Sequence, residues 1–131
     1  MAAINQSPEL NQLAARLFAR RSEGVILKLG EVSIGDWRPQ ENECHGNVTT
    51  WCQSNPTHQA VRGWLYIAFE DRLPYVLFNP HSAIRTEVGD LYDITPSRAS
   101  QQYPFIVAEE SEEAYEALIQ VNGVCRLVHI K

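Results

Sequence analysis

The chain has 131 residues, a formal net charge of −5 and three cysteines. That length suits one domain spanning residues 1–131, the acidic balance argues against nucleic acid and anionic membranes as partners, and no apolar run approaches the roughly 20 residues of a membrane span. An odd cysteine count makes no disulfide framework, and the residues from Met1 to Gln6 lack the charged and apolar regions of a secretory signal, so the expected location is the cytoplasm.

Ser7-Pro8-Glu9 starts a helix, with serine as N-cap and proline at the first helical position. Leu10, Leu13, Ala14, Leu17 and Phe18 form its apolar stripe, Arg16, Arg20 and Arg21 complement its negative end, and Gly24 closes it. Residues 25–29 read as a strand, and 30–39 as an irregular, turn-rich stretch. A second helix begins at Cys44. Val48, Trp51 and Cys52 share a face with it, and Asn55-Pro56 stops it. Residues 61–70 are apolar at both alternating sets, which predicts a central strand covered on both faces. Glu70-Asp71-Arg72 reads as a turn and 73–78 as the next strand. Pro80, which donates no hydrogen bond, belongs at a bulge or on an unpaired side. Residues 97–103 are a polar connection and 105–107 a short strand. Ser111-Glu112-Glu113 opens a last helix whose Ala114, Tyr115, Leu118 and Ile119 face inward, and 124–130 form a final strand. The fold class is α+β: a mainly antiparallel sheet with an N-terminal helix, a central helix carrying Cys44 at its start, and a C-terminal helix followed by a last strand.

Chemistry gathers around Cys44. A thiol at a helix start meets unsatisfied backbone N–H groups and the positive end of the dipole, both of which favour the thiolate. Glu41 and Glu43 oppose this unless they turn outward. Downstream, a three-residue loop 87–89 with Gly89 left-handed makes Thr86 face Asp90 and Arg85 face Leu91. Counting on, His81 and Asp93 fall diagonally on one face, where a carboxylate fixes the tautomer of a histidine and stabilises its charged form. Gln40 and Asn42, just ahead of the nucleophile, are candidates for an oxyanion donor beside the Cys44 N–H, or alternatively turn residues. Cys52 and Cys125 read as core.

The order Cys at a helix start, His on a strand and Asp on the next strand resembles the papain-like and transglutaminase-like cysteine superfamily, which includes NlpC/P60 peptidases, arylamine N-acetyltransferases and N-terminal glutamine amidohydrolases. More narrowly, the Cys-His-x-Asn-Val run at 44–48, the Gly63-Trp64 pair and the His-Ser-x-x-Arg…Asp-Ile-Thr-Pro run ending at Pro96 are similar to a group of small uncharacterised bacterial proteins. The resemblance covers the middle half of the chain and implies a fold and a nucleophile, not a substrate.

Cys44, His45, Cys52 and His58 match neither spacing of structural zinc sites, and Cys44 and Cys52 lie roughly 12 Å apart along a helix, too far to share an ion. Nucleotide-binding glycine patterns are absent, so no metal or other cofactor is expected. The leading expectation is a cysteine-dependent hydrolase or acyl transferase acting on an amide-type bond. Cys44 attacks, His81 moves the proton, Asp93 holds the ring, and Gln40 or Asn42 assists. So short a domain suits a protein or peptide laid across the surface near Trp37, Trp64 and Tyr103. The alternative is a non-catalytic binding or inhibitory module, bacterial or phage-type, on the same scaffold.

Overall fold

The computed structural model describes residues 6–69, 72–98 and 101–131. The 1–5 segment considered for a leader, Glu70 and Asp71 of the expected turn, and Ala99 and Ser100 of the polar connection lie outside the described residues. The architecture is α+β. The elements are α1 (Pro8–Ala19), β1 (Lys28–Leu29), α2 (Cys44–Ser54), β2 (Gln59–Ile67), β3 (Tyr75–Arg85), β4 (Leu91–Asp93), β5 (Phe105–Val107), α3 (Glu112–Glu116) and β6 (Leu127–Ile130). Among the described residues the strands form one sheet in the order β1-β4-β3-β2-β5, with β6 also on β3; only the β1–β4 pair is parallel.

The Ser7 hydroxyl caps α1 by accepting from the Leu10 N–H, and Leu13, Ala14 and Leu17 carry its buried face. The helix ends at Arg20, before a 3-10 turn at Arg21–Glu23, rather than on Gly24, whose φ of −63° any residue adopts. Gly24 is instead a close-approach glycine: a Cβ there would lie 2.7 Å from the Cβ of Pro104.

The expected 25–29 strand is shorter, for a physical reason. Val25 bridges to Phe105 near one sheet edge, whereas Lys28 and Leu29 pair with Tyr92 and Asp93 at the other. The segment therefore crosses the sheet rather than running along it. Midway, Leu27 is buried in a cluster with Val61, Ala83 and Phe105. On the alternate positions of the same strands, Trp64, Val76 and Phe78 join α1, Ile106, Tyr115 and Leu127 in the main core. β2 is thus covered on both faces, as its continuous apolar pattern requires.

Residues 73–78 and the His81 strand are one element, β3. Its register with β2 runs unbroken from Gln59↔Arg85 to Ile67↔Leu77, so no bulge occurs at Pro80. Tyr66 and Arg62 direct their backbone groups to the β5 side, donating to Pro104 O and accepting from Ala108 N. Trp64, two residues from each, shares that orientation, so its partner Pro80 turns its nitrogen away from β2. On that far side β6 pairs with residues 75–78 and β4 with 84–85. The missing N–H therefore falls in the seam between them.

The last helix changes to π-helical hydrogen bonding at Ala117–Val121, closed by Asn122 N donating to Ala117 O. Tyr115 is buried and Leu118 and Ile119 are half-buried, but Ala114 is exposed. The final strand starts at Leu127, so Cys125 precedes the sheet and is exposed rather than core.

Candidate active site

Cys44 is the first residue of α2, half-buried, and the first helical bond of the element is from Asn47 N to Glu43 O at 2.8 Å. Among the described residues no side chain caps this helix, and no acidic residue occupies its first turn. Glu41 and Glu43 are exposed, and Glu41 turns out to meet Arg98 at 3.3 Å. The thiol is left with two imidazoles for neighbours, His45 and His81.

The hairpin brings one of these. Gly89 adopts φ +93°, Thr86 N donates to Asp90 O at 2.9 Å, and Arg85 pairs with Leu91. With that register His81 Nε2 donates to Asp93 Oδ2 at 2.9 Å, and their side chains are only 13% and 18% exposed. The other carboxylate oxygen, Oδ1, accepts from Thr95 N at 3.0 Å. Asp93 thus orients the histidine with one oxygen and ties down its own loop with the other. His81 Nδ1 remains for the sulfur, with which the ring is hydrogen-bonded.

Burial raises the Cys44 pKa, but hydrogen bonds from His45 and His81 and the electrostatic pull of both rings outweigh it and bring the thiol from 9.0 to about 6. Burial likewise lowers that of His81, and the bond and charge of Asp93, with the contribution of Cys44, outweigh it and raise the ring to about 9. Between those values the pair exists as thiolate and imidazolium.

Asn47 sets the approach to Cys44. Buried within α2, its amide accepts from Gln40 N at 3.0 Å and donates to Gln40 O at 2.8 Å and Thr95 Oγ1 at 3.0 Å. One side chain thus ties the entry loop of the helix to the strand end beyond Asp93.

The other sequence candidates lie elsewhere. The Gln40 side chain is exposed and donates to Arg38 O at 3.0 Å. Asn42 is exposed in the left-handed region, φ +62°, which asparagine tolerates better than most residues. Both therefore match the turn reading. Trp64 is fully buried in the main core, with its Nε1 unpartnered, so it offers no surface to a substrate. Trp37 and Tyr103 are half-buried. His58 accepts from Trp51 Nε1 at 3.0 Å on the far end of α2. Among the described residues no three His, Cys, Asp or Glu side chains form a group that could hold a metal ion.

Four participants escaped the sequence reading: His45, Arg62, Ser82 and Tyr115. Ser82 is fully buried, 2.6 Å from His45 Nδ1, and accepts from Arg62 Nη1 at 2.9 Å. Tyr115 donates to Gly63 O at 2.7 Å and lies edge-on to His45; burial, then the nearby Cys44 charge, push its phenol far up. One signal was available, a lone arginine in an otherwise apolar strand. Beside these residues runs an open groove of about 730 Å³, lined by His45, Thr49, Arg62, Glu112, Tyr115 and Gln120 among others.

No family model, curated protein or solved structure matches this chain.

Proposed function

We propose that the chain is a cysteine-dependent hydrolase or acyl transferase of papain-like type, acting on an amide-type bond. The observation that carries this reading is the line from a helix-start thiol through His81 to Asp93, with the thiol lowered to about 6 and the ring raised to about 9. A purely structural histidine has no need of both partners.

In the reaction, the Cys44 thiolate attacks the carbonyl carbon, the S–C bond forms and the π electron pair moves to oxygen. Collapse re-forms the carbonyl and breaks the C–N bond, and the His81 proton goes to the departing nitrogen. His81, now neutral, takes a proton from water or an acceptor amine, which attacks the thioester and expels Cys44 as thiolate. Asp93 keeps the ring oriented and charged. Water yields hydrolysis and an amine yields transfer. A protein or peptide remains the favoured substrate, because so short a domain leaves little chain for an enclosed pocket. The sites expected at Trp64, Gln40 and Asn42 are not part of this proposal.

Three free thiols support a reducing compartment such as the cytoplasm. Among the described residues no helix is long and apolar enough to cross a membrane.

The test is selective alkylation. With iodoacetamide at neutral pH, Cys44 should label well before Cys52, whose pKa burial raises, and before the exposed Cys125. In His81→Ala the preference should vanish. Equal slow labelling of all three in the unaltered protein would favour a binding module instead.

A further inference from the structure

His45 follows the nucleophile directly, yet the triad makes no use of it. Its environment specifies where its ring hydrogen sits. Arg62 has only donors, and its Nη1 points one at Ser82 Oγ, 2.9 Å away. That serine is fully buried, and its other hydrogen-bond partner is His45 Nδ1 at 2.6 Å. The single serine hydrogen has one acceptor to go to, which is Nδ1. A doubly protonated ring would press an N–H onto an oxygen already accepting from a cation and leave the serine hydrogen stranded in the interior. Nδ1 is therefore an acceptor, and the ring carries its hydrogen on Nε2.

The chain that imposes this is itself fixed. Arg62 Nη2 meets Glu112 at 2.8 Å and Thr49 Oγ1 at 2.9 Å, while Nη1 also donates to the His45 carbonyl at 3.2 Å. Tyr115 stands edge-on to the imidazole with centroids 5.8 Å apart. The charged and titratable groups around His45 are thus Arg62 from β2, His81 from β3, and Glu112 and Tyr115 from α3, besides Cys44 itself. His81 and Ser82 are consecutive, so they leave β3 on opposite faces. One serves the sulfur directly and the other through His45.

We propose that His45 is a second catalytic imidazole, kept with its hydrogen on Nε2 by the Arg62–Ser82 relay, whose Nε2–H stabilises the Cys44 thiolate and then the oxyanion formed on attack. This rests on the hydrolase reading above. As the S–C bond forms, negative charge leaves sulfur for the carbonyl oxygen, and the hydrogen bond follows it with no proton transferred. His81 stays the proton carrier. The role assigned from sequence to Gln40 or Asn42 passes to the ring next to Cys44 in the chain, whose hydrogen bonding lowers the thiol.

The experiment measures thiolate formation against pH, by ultraviolet absorbance in a Cys52→Ser, Cys125→Ser background. His45→Ala, His45→Gln and Ser82→Ala are compared, with thermal unfolding as a control for folding. His45→Ala should raise the Cys44 midpoint by about one pH unit. His45→Gln, which keeps an N–H donor at the same reach, should restore most of it, and Ser82→Ala should fall between. Imidazole ¹⁵N spectra should show an unprotonated Nδ1 on His45 at pH values where Cys44 is ionised. A wild-type midpoint near 6 that His45→Ala leaves in place, a glutamine variant no better than alanine, or a doubly protonated His45 would each overturn the inference while sparing the triad. A wild-type midpoint near 9 would sink both.

Discussion

Helices α1 and α2 are nearly equal in length and opposite in construction. α1 has every local device: a serine cap, a proline in its first turn, Glu9 near its positive end and Arg16 near its negative one. α2 has no side-chain cap, no acidic first turn and no basic last turn. Its interior includes Gly46, Val48, Thr49 and Thr50, all weaker helix formers than alanine or leucine. It holds because Val48 packs with Ile84 and Ile94, and because Asn47 reaches out to Gln40 and Thr95. A cap would occupy N–H groups that α2 leaves open at the end where Cys44 stands. The helix that begins with Cys44 has given up local stability for an open end, and the sheet restores it.

That contrast can be attacked at several points. The largest effect should come from His81→Ala, which takes away the charge and the hydrogen bond beside the sulfur. The Cys44 midpoint should climb from about 6 toward its ordinary 9.0, and the thiolate population at pH 7 should drop on the order of 100-fold. Thiolate absorbance against pH reads this directly. Asn47→Ala should come next, costing roughly 2–4 kcal/mol in denaturant unfolding, because three hydrogen bonds go and the Gln40 backbone groups lose their partner.

Activity should follow a bell. It rises as pH climbs through about 6, where Cys44 ionises, and falls as pH climbs through about 9, where His81 loses its proton. In Asp93→Asn the alkaline limb should move to lower pH, since the carboxylate that raises His81 is gone, while the acid limb moves up. The folding stability due to protonated His81 runs the same way: complete below the ordinary 6.5, lost as pH rises through about 9. Smallest of all, Ser7→Ala should cost about 1 kcal/mol through the α1 cap and leave Cys44 reactivity untouched. A change in thiol midpoint there would dissolve the distinction between the two helices.

Legibility in the sequence divides along the same line. α1 was readable from its cap to its stripe because each signal acts within a few residues. The His81–Asp93 pair was readable because a three-residue loop with Gly89 at positive φ locks the register, and strand alternation then carries the count outward. His45, Ser82 and Arg62 were not readable as a unit. Their meeting depends on Arg62 standing opposite Ser82 across β2 and β3, a pairing no local pattern encodes. Trp64 was misplaced for a related reason. A strand apolar on both faces does not announce which residues reach the surface, and its tryptophan went to the main core. Cys125 was assigned to a strand that begins two residues later.

The proline at position 80 has a bearing on who can approach. Within the 79–83 stretch of β3, the even-numbered backbone groups turn toward the unfilled slot, and of those two residues only Ser82 has an amide hydrogen to offer. A passing extended polypeptide, whether a neighbour's frayed end or an overeager target, finds one of the two donors missing from that ladder. The gap between β4 and β6 is thereby guarded against the commonest accident that befalls exposed ribbons.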